Sequence, residues 1–272
     1  MGRSLLRLGL ILALALFAAG SARPAAAASA AASSNPGKIG VVLLHGKYST
    51  NKPDSPIGRL GRALDEAGFT TTAPEMPWSY DRHFDATIET AFTEIDRAVA
   101  ALKAGGVTKV VIAGHSLGAN IGLAYATERP GLAGVIAIAP GHTPESPDWP
   151  RSFAGDVAKA RAMVAAGKGD AVAAFGDHIR GGRKPFRLRA KIYLSYFDPD
   201  GLAAMSKTAA RLPPGTPILW IVETNRLKLI SARTTFERIP GAGRKQFIAV
   251  DASHNDAPAR SAKQIIAWLK AL

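Results

Sequence analysis

The chain has 272 residues, a formal net charge of +13, 47% hydrophobic residues and no cysteine. A near-average apolar content together with 20% charged residues excludes a disordered, collagen-like or polytopic membrane protein. The lack of cysteine excludes a disulfide scaffold, a thiolate metal site and a cysteine nucleophile. The composition therefore predicts one globular domain, since α/β folds often run past about 200 residues as a single domain.

The first 30 residues are typical of a secretory signal peptide. Arg3 and Arg7 precede the apolar run from Leu8 to Ala19, and a tract of small residues follows. This run favours a cleaved signal over a membrane anchor, because a spanning helix needs about 20 apolar residues. We therefore expect residues 1–30 to direct export to a bacterial periplasm or exterior, with several Ala–x–Ala positions available for cleavage, and residues 37–272 to fold.

Buried strands and amphipathic helices alternate along residues 37–272. Continuous apolar runs predict strands at Ile39–His45, Phe69–Ala73, Lys109–Ala113, Val135–Ala139, Ile218–Val222 and Phe247–Val250. Apolar residues at helical spacing lie between them, in sets that begin at Ile57, Ile88 and Ile265. Strands that are apolar throughout are typical of a parallel sheet covered on both faces. The pattern predicts the α/β class, with a doubly wound, mostly parallel sheet.

Residues 141–215 interrupt this alternation with no clear strand of the parallel type. One helical face is predicted from Phe153, Val157, Ala160 and Val164, and a second from Val172, Phe175 and Ile179. The segment from Lys191 to Phe197 fits either a strand or a helix, because short apolar runs do not separate the two. A long insertion between sheet strands predicts a helical lid or substrate-binding cap.

The sequence Gly114-His115-Ser116-Leu117-Gly118 follows the third predicted strand and opens a helix. A serine on such a sharp turn needs neighbours with almost no side chain two positions before and after it, and both are glycine here. The helix N-terminus that follows favours negative charge. The motif predicts Ser116 as a nucleophile rather than an ordinary turn serine.

A serine hydroxyl is a poor nucleophile until a base takes its proton. We predict His254 as that base, because it follows the last predicted strand and so lies at the edge of the sheet where the strands end. The backbone N–H groups of Leu117 and Lys47 are the predicted donors to a developing oxyanion. The alternative for Lys47 is a plain His-Gly turn at the end of the first strand.

These features together resemble the α/β-hydrolase superfamily. The resemblance rests on Leu-Leu-His-Gly at 43–46, Gly-His-Ser-Leu-Gly at 114–118 and Ser-His-Asn at 253–255, in that order. It implies an esterase-like or lipase-like serine hydrolase with an inserted cap and an acid that orients the histidine. Similar hydrolases carry Asp after the strand that matches Ile218–Val222, but Arg226 lies near that position here. We predict Glu223 as the acid because it ends the matching strand; the alternatives are Asp198 or Asp200 in the insertion, or the absence of an acid.

Two further features have open interpretations. Trp78 and Tyr80 either line an acyl pocket or pack on the core. The segment from Arg180 to Lys191 holds six bases and no acid, which predicts either a solvated basic loop or a patch for anionic surfaces. That patch would use Arg180, Arg183, Lys184, Arg187 and Arg189. A single aromatic residue within the run argues against nucleic acid, and no motif for a metal or nucleotide cofactor is present.

The sequence thus predicts an exported serine hydrolase that cleaves carboxylic esters through an acyl-enzyme intermediate. Two alternatives belong to other functional classes. Arg226 motivates a catalytically weakened α/β hydrolase that serves as a binding module, and the basic run motivates a binder of anionic envelope surfaces. Among enzymes, thioesterases, lipases and amidases use the same catalytic residues, so the motifs do not select the substrate.

Overall fold

The computed structural model describes residues 38–146, 152–179, 182–224, 230–241 and 243–272. The predicted signal peptide, Arg180 and Arg226 lie outside these residues, and so does the side chain of Arg183. None of the helices in the described ranges has the length and apolarity needed to cross a membrane.

The strands of the described chain form one large sheet and one hairpin. In chain order they are β1 (Ile39–Leu44), β2 (Thr70–Thr72), β3 (Lys109–His115), β4 (Gly134–Ile138), β5 (Val172–Ile179), β6 (Gly182–Arg189), β7 (Ile218–Glu223) and β8 (Lys245–Val250). The large sheet has the order β2-β1-β3-β4-β7-β8, and all of its neighbouring strands are parallel. Its six strands are those predicted from the sequence, with ends that differ by at most two residues.

Helices cover both faces of this sheet. They are α1 (Pro56–Glu66), α2 (Ile88–Ala104), α3 (Leu117–Glu128), α4 (Ser152–Ala165), α5 (Ala190–Phe197), α6 (Met205–Ala210), α7 (Ile230–Glu237), α8 (Ala257–Arg260) and α9 (Ala262–Lys270). Alternate side chains of β1 point to opposite faces, so Val42 and Leu44 pack with α2 and α3, whereas Val41 and Leu43 pack with α1 and α9. This arrangement confirms the predicted doubly wound α/β fold.

The segment between β4 and β7 contains α4, the β5–β6 hairpin, α5 and α6. The predicted helix through Val172, Phe175 and Ile179 is wrong, because these residues lie in β5, which pairs antiparallel with β6. Of the two interpretations of the basic run, the loop is wrong as well, since Gly182–Arg189 form β6 and Ala190 begins α5. The hairpin is favoured because Phe175 is paired with Phe186 and stacks on Tyr193 of α5, with ring centroids 4.3 Å apart.

Candidate active site

Ser116 lies on the turn between β3 and α3 in a strained backbone conformation, with φ 55° and ψ −121°. The turn depends on its two glycines. A Cβ on Gly114 would lie 2.1 Å from the carbonyl oxygen of Gly118, and a Cβ on Gly118 would lie 2.4 Å from the carbonyl oxygen of Leu44. A positive φ at a residue other than glycine is costly and is concentrated at functional sites. The strand and helix thus pack closely enough to present Ser116 at the sheet edge.

His254 and Glu223 are joined by a hydrogen bond of 2.7 Å between Nδ1 and Oε1. Glu223 ends β7 and its side chain is 1% exposed, whereas the His254 side chain, in the loop after β8, is 38% exposed. Parallel pairing of β7 with β8 places Glu223 opposite Val250, four residues before His254. An ionised carboxylate only accepts hydrogen bonds, so Nδ1 donates and Nε2 is the acceptor nitrogen of the neutral ring.

The other two candidate acids lie away from His254 in a surface ion-pair cluster. Asp198 pairs with Arg161, and Asp200 pairs with both Arg161 and Lys207. Of the three acids that the sequence offered, Glu223 is therefore the one whose carboxylate contacts the histidine.

Ser116 and His254 line the same cavity, which has a volume of about 860 Å³. The loop after β1 contributes Lys47, Tyr48 and Ser49 to its lining, and the β5–β6 hairpin contributes Asp177, Lys184, Pro185 and Phe186. The insertion between β4 and β7 thus forms one wall of the cavity that holds the candidate nucleophile and base.

The two predicted oxyanion donors flank Ser116. Leu117 is the first residue of α3, where a backbone N–H has no acceptor within the helix. Lys47 follows Gly46, and a Cβ on Gly46 would lie 3.2 Å from the Cβ of Ser116. The loop after β1 therefore packs directly beside the candidate nucleophile.

Buried side chains fix the conformation of this loop. His45 accepts a hydrogen bond of 3.0 Å at Nε2 from the N–H of Met76, so its Nδ1 carries the proton and donates to the carbonyl oxygen of Gly46 at 2.9 Å. Burial lowers the pKa of His45 below its ordinary value and so favours this neutral form. The hydrogen bonds of a neutral, fully buried histidine thus hold the loop in its conformation.

Trp78 supports the same loop from behind and does not line the cavity. Its ring is fully buried, its indole N–H donates to the carbonyl oxygen of His45 at 2.8 Å, and its own carbonyl accepts the N–H of Tyr48 at 2.9 Å. Of the two interpretations of Trp78, core packing is therefore the correct one, because the ring is fully buried and is absent from the cavity lining. Tyr80, which is 61% exposed, does line the cavity.

Asp177 connects the hairpin to the loop after β1 and was missed by the sequence analysis. Its Oδ1 accepts a hydrogen bond of 2.7 Å from Lys47 Nζ, and its Oδ2 accepts one of 3.0 Å from the hydroxyl of Tyr48. Burial, followed by the charge of Asp177, raises the pKa of Tyr48 above its ordinary value, which keeps the hydroxyl protonated as a donor. The partners lie about 130 residues apart in the chain, so no local motif could have indicated this contact.

His115, inside the glycine motif, connects the nucleophile turn to the loop that carries His254. Its Nε2 lies 2.8 Å from the carbonyl oxygen of His254 and donates to it, and the two rings are 4.8 Å apart. Burial, followed by the nearby His254, lowers the pKa of His115 to about 3. The ring is therefore neutral at physiological pH and serves as a hydrogen-bond donor.

Comparison with known proteins defines the class. Residues 41–268 match the alpha/beta hydrolase family, and the chain belongs to that family. No curated protein sequence matches the chain. Among the described residues, no group of three His, Cys, Asp or Glu side chains is arranged to hold a metal ion.

Solved structures with this fold include lipases and esterases. A monoacylglycerol lipase from Paleococcus ferrophilus is 20% identical with a TM-score of 0.58, and the match covers 87% of this chain and 95% of the lipase. A soluble variant of monoglyceride lipase from Saccharomyces cerevisiae is 13% identical with a TM-score of 0.58 and 87% coverage of both chains. Est1E from Butyrivibrio proteoclasticus, solved with ferulic acid, is 15% identical with a TM-score of 0.52, covering 87% of this chain and 88% of its own.

Proposed function

We propose that the chain is an exported serine hydrolase that cleaves carboxylic esters through an acyl-enzyme intermediate. The observation that carries the proposal is the 2.7 Å hydrogen bond from His254 to the buried Glu223, beside the cavity that Ser116 also lines. A serine on a strained turn, a histidine and an orienting carboxylate are the parts that convert a hydroxyl into a nucleophile.

In the first step, Ser116 Oγ attacks the ester carbonyl carbon and His254 Nε2 takes the hydroxyl proton. Glu223 holds the ring in the tautomer whose Nε2 is free of hydrogen, and its negative charge stabilises the imidazolium that forms. The carboxylate is almost fully shielded from water, so its interaction with the cation is screened less than at a surface.

The tetrahedral intermediate places a negative charge on the former carbonyl oxygen. The proposed donors to it are the backbone N–H groups of Leu117 and Lys47, and loss of one such donor typically slows a hydrolase by about 10²- to 10³-fold. The intermediate then collapses, the alcohol leaves with the proton from His254, and an acyl group stays on Ser116. Water, deprotonated by His254, attacks this ester, and the acid is released as Ser116 Oγ takes that proton from His254.

Two of the structural neighbours, a monoacylglycerol lipase and a monoglyceride lipase, favour esters over thioesters and amides as substrates for this chain. Sequence identities of 20% and 13% establish a shared fold and not a shared substrate, so the preference for esters belongs to the proposal. The wall that the β5–β6 hairpin adds to the cavity supports a substrate-binding role for the insertion.

The test is turnover of p-nitrophenyl esters of graded acyl length by the purified protein and its Ser116→Ala variant. We expect the wild type to release nitrophenol and Ser116→Ala to lose this activity. Ser206→Ala, which changes a serine on α6 outside the cavity lining, controls for nonspecific effects. A wild type that leaves every ester intact would favour the binding-module alternative, and an active Ser116→Ala variant would contradict the assigned nucleophile.

Export is tested separately by expressing the full chain in a Gram-negative bacterium and measuring the molecular mass of the periplasmic product by mass spectrometry. The proposal predicts a mass that lacks about 30 N-terminal residues, in accordance with the length of a signal peptide. Full-length protein confined to the cytoplasm would contradict export and leave the catalytic proposal intact.

A further inference from the structure

The basic run of the sequence forms part of the wall of the candidate active-site cavity. Lys184, Pro185 and Phe186 of β6 line the same cavity as Ser116 and His254. Lys184 is exposed, and within the described ranges no carboxylate lies at ion-pair distance from it. One positive charge of this segment, that of Lys184, therefore lies at the cavity that Ser116 and His254 line.

The cavity lining carries more positively charged than negatively charged side chains. Its cationic side chains are Lys47 and Lys184, and among the described lining residues its one acid is Asp177. Asp177 is paired with Lys184 in the strand register, but its two oxygens accept hydrogen bonds from Lys47 and Tyr48. With histidines counted as neutral, Asp177 compensates Lys47, and the ammonium of Lys184 remains as an uncompensated charge.

The cavity also has aromatic rings in its lining. Tyr48, Tyr80 and Phe186 belong to the same lining, and Phe186 is held in place by contacts with the rings of Phe84 and Tyr193. Aromatic side chains bind flat apolar groups, whereas a lysine ammonium acts as a point charge for carboxylate or phosphate. The combination suits an aromatic ring that carries an anionic substituent.

We propose that the site prefers aryl esters bearing a carboxylate or phosphate, and that Lys184 is the residue that determines this preference. The inference rests on the proposed ester hydrolase activity. The reaction is unchanged: water cleaves the ester to an acid and a phenol, and the anionic group is not consumed. Lys184 contacts that group and stabilises the bound substrate relative to an uncharged one.

The test compares kcat/KM for 4-acetoxybenzoate with kcat/KM for its neutral isostere 4-acetoxybenzamide, corrected for spontaneous hydrolysis, at low ionic strength. We expect the benzoate-to-benzamide ratio to fall about two- to five-fold in Lys184→Gln, the size expected of a solvent-exposed ion pair. The wild-type ratio should also fall as salt is raised to 1 M, because ions screen the attraction. A third ester, 4-acetoxyphenyl phosphate, shows which of the two anions is preferred.

Two further variants make the result specific. Arg187→Gln removes a base from the same strand outside the cavity lining and should keep the wild-type ratio. Asp177→Asn should raise the ratio, because Lys47 then loses its compensating charge. Any general damage from that change affects both esters and cancels in the ratio.

The outcomes separate this inference from the proposed function. An unchanged ratio in Lys184→Gln, with turnover that still requires Ser116, overturns the inference and leaves the hydrolase proposal standing. An equal fall in Arg187→Gln also overturns it, because the effect would then belong to the basic surface as a whole. Failure of the wild type to cleave these esters or any p-nitrophenyl ester would instead overturn the hydrolase proposal.

Discussion

Lys47 Nζ lies 2.7 Å from Oδ1 of Asp177, so the loop after β1 is bound to the β5–β6 hairpin through a carboxylate whose side chain is 1% exposed. Tyr48, the next residue of the loop, donates to the other oxygen of the same carboxylate and has a left-handed backbone with φ 53°. Asp177 therefore fixes two consecutive residues beside Ser116. The geometry of the loop depends on a residue from the insertion.

Asp177→Ala should destabilise the protein and reduce kcat. The substitution leaves the largely enclosed ammonium of Lys47 without this carboxylate, and breaking a buried ion pair costs about 3 kcal/mol in unfolding free energy. Urea unfolding and ester turnover measure the two effects. Asp170→Ala is the matched control, because Asp170 pairs with Lys191 on the surface of the same insertion, and no measurable loss is expected there. Equal behaviour of the two variants would contradict the role of Asp177.

Glu223→Gln should lower kcat by about 10³- to 10⁴-fold with little change in KM or melting temperature. The amide preserves the shape of the side chain but removes the charge that stabilises a protonated His254. Asp200→Asn tests the alternative acid, and we expect that variant to retain wild-type kcat because Asp200 pairs with Arg161 and Lys207 on the surface. Wild-type turnover in Glu223→Gln would remove Glu223 from the mechanism.

Gly114→Ala should prevent stable folding, because its Cβ would lie 2.1 Å from a backbone oxygen that cannot move without displacing α3. We expect a loss of more than about 4 kcal/mol, in the range of severe steric substitutions. Gly155→Ala in α4 is the control, since a Cβ there meets no atom within 4 Å and alanine favours a helix by about 0.5–1 kcal/mol. Thermal melts that show equal stability for both variants would contradict the close packing of strand and helix.

Acid should destabilise the protein through its enclosed histidines, His45, His115 and His142. Burial lowers the pKa of His115 to about 3 and that of His142 to about 4, against an ordinary value of 6.5. Between about pH 6.5 and 4 the unfolded chain therefore binds protons that the folded chain does not, and the unfolding free energy falls as the pH falls. His115 and His142 each contribute about 1.4 kcal/mol per pH unit in that range.

Urea unfolding at intervals from pH 7.5 to 4.5 measures this slope. His142→Gln keeps an N–H donor for the carbonyl oxygen of Tyr196, which His142 Nε2 now contacts at 2.7 Å, but removes one titrating group. The slope should therefore be shallower in the variant. A slope identical to that of the wild type would contradict the neutral, buried state of His142.

The sheet and the nucleophile turn could be predicted because their signals are local. The six parallel strands are continuous apolar runs, and the turn requires Gly114 and Gly118 within five residues of each other. The sequence favoured Glu223 as the acid by its place at a strand end, but it could not exclude the alternatives, because the contact between Glu223 and His254 arises from the pairing of β7 with β8.

The hairpin could not be predicted from spacing. Val172, Phe175 and Ile179 are three and four residues apart, as on a helix, but the pairing of Phe175 with Phe186 determines the strand. The choice between pocket and core stayed open for Trp78 for a related reason: its partner, the carbonyl oxygen of His45, follows the end of β1 and is not visible from the neighbouring sequence. Contacts distant in the chain decided both cases.

Labelling with a fluorophosphonate tests the central claim most directly, because the probe forms a covalent bond with an activated serine. Peptide mass spectrometry should find the adduct on Ser116 in the wild type, no adduct in Ser116→Ala, and much slower labelling in His254→Ala. An unlabelled wild type, or an adduct that persists in Ser116→Ala at the wild-type level, would contradict the assignment of Ser116 as a nucleophile activated by His254.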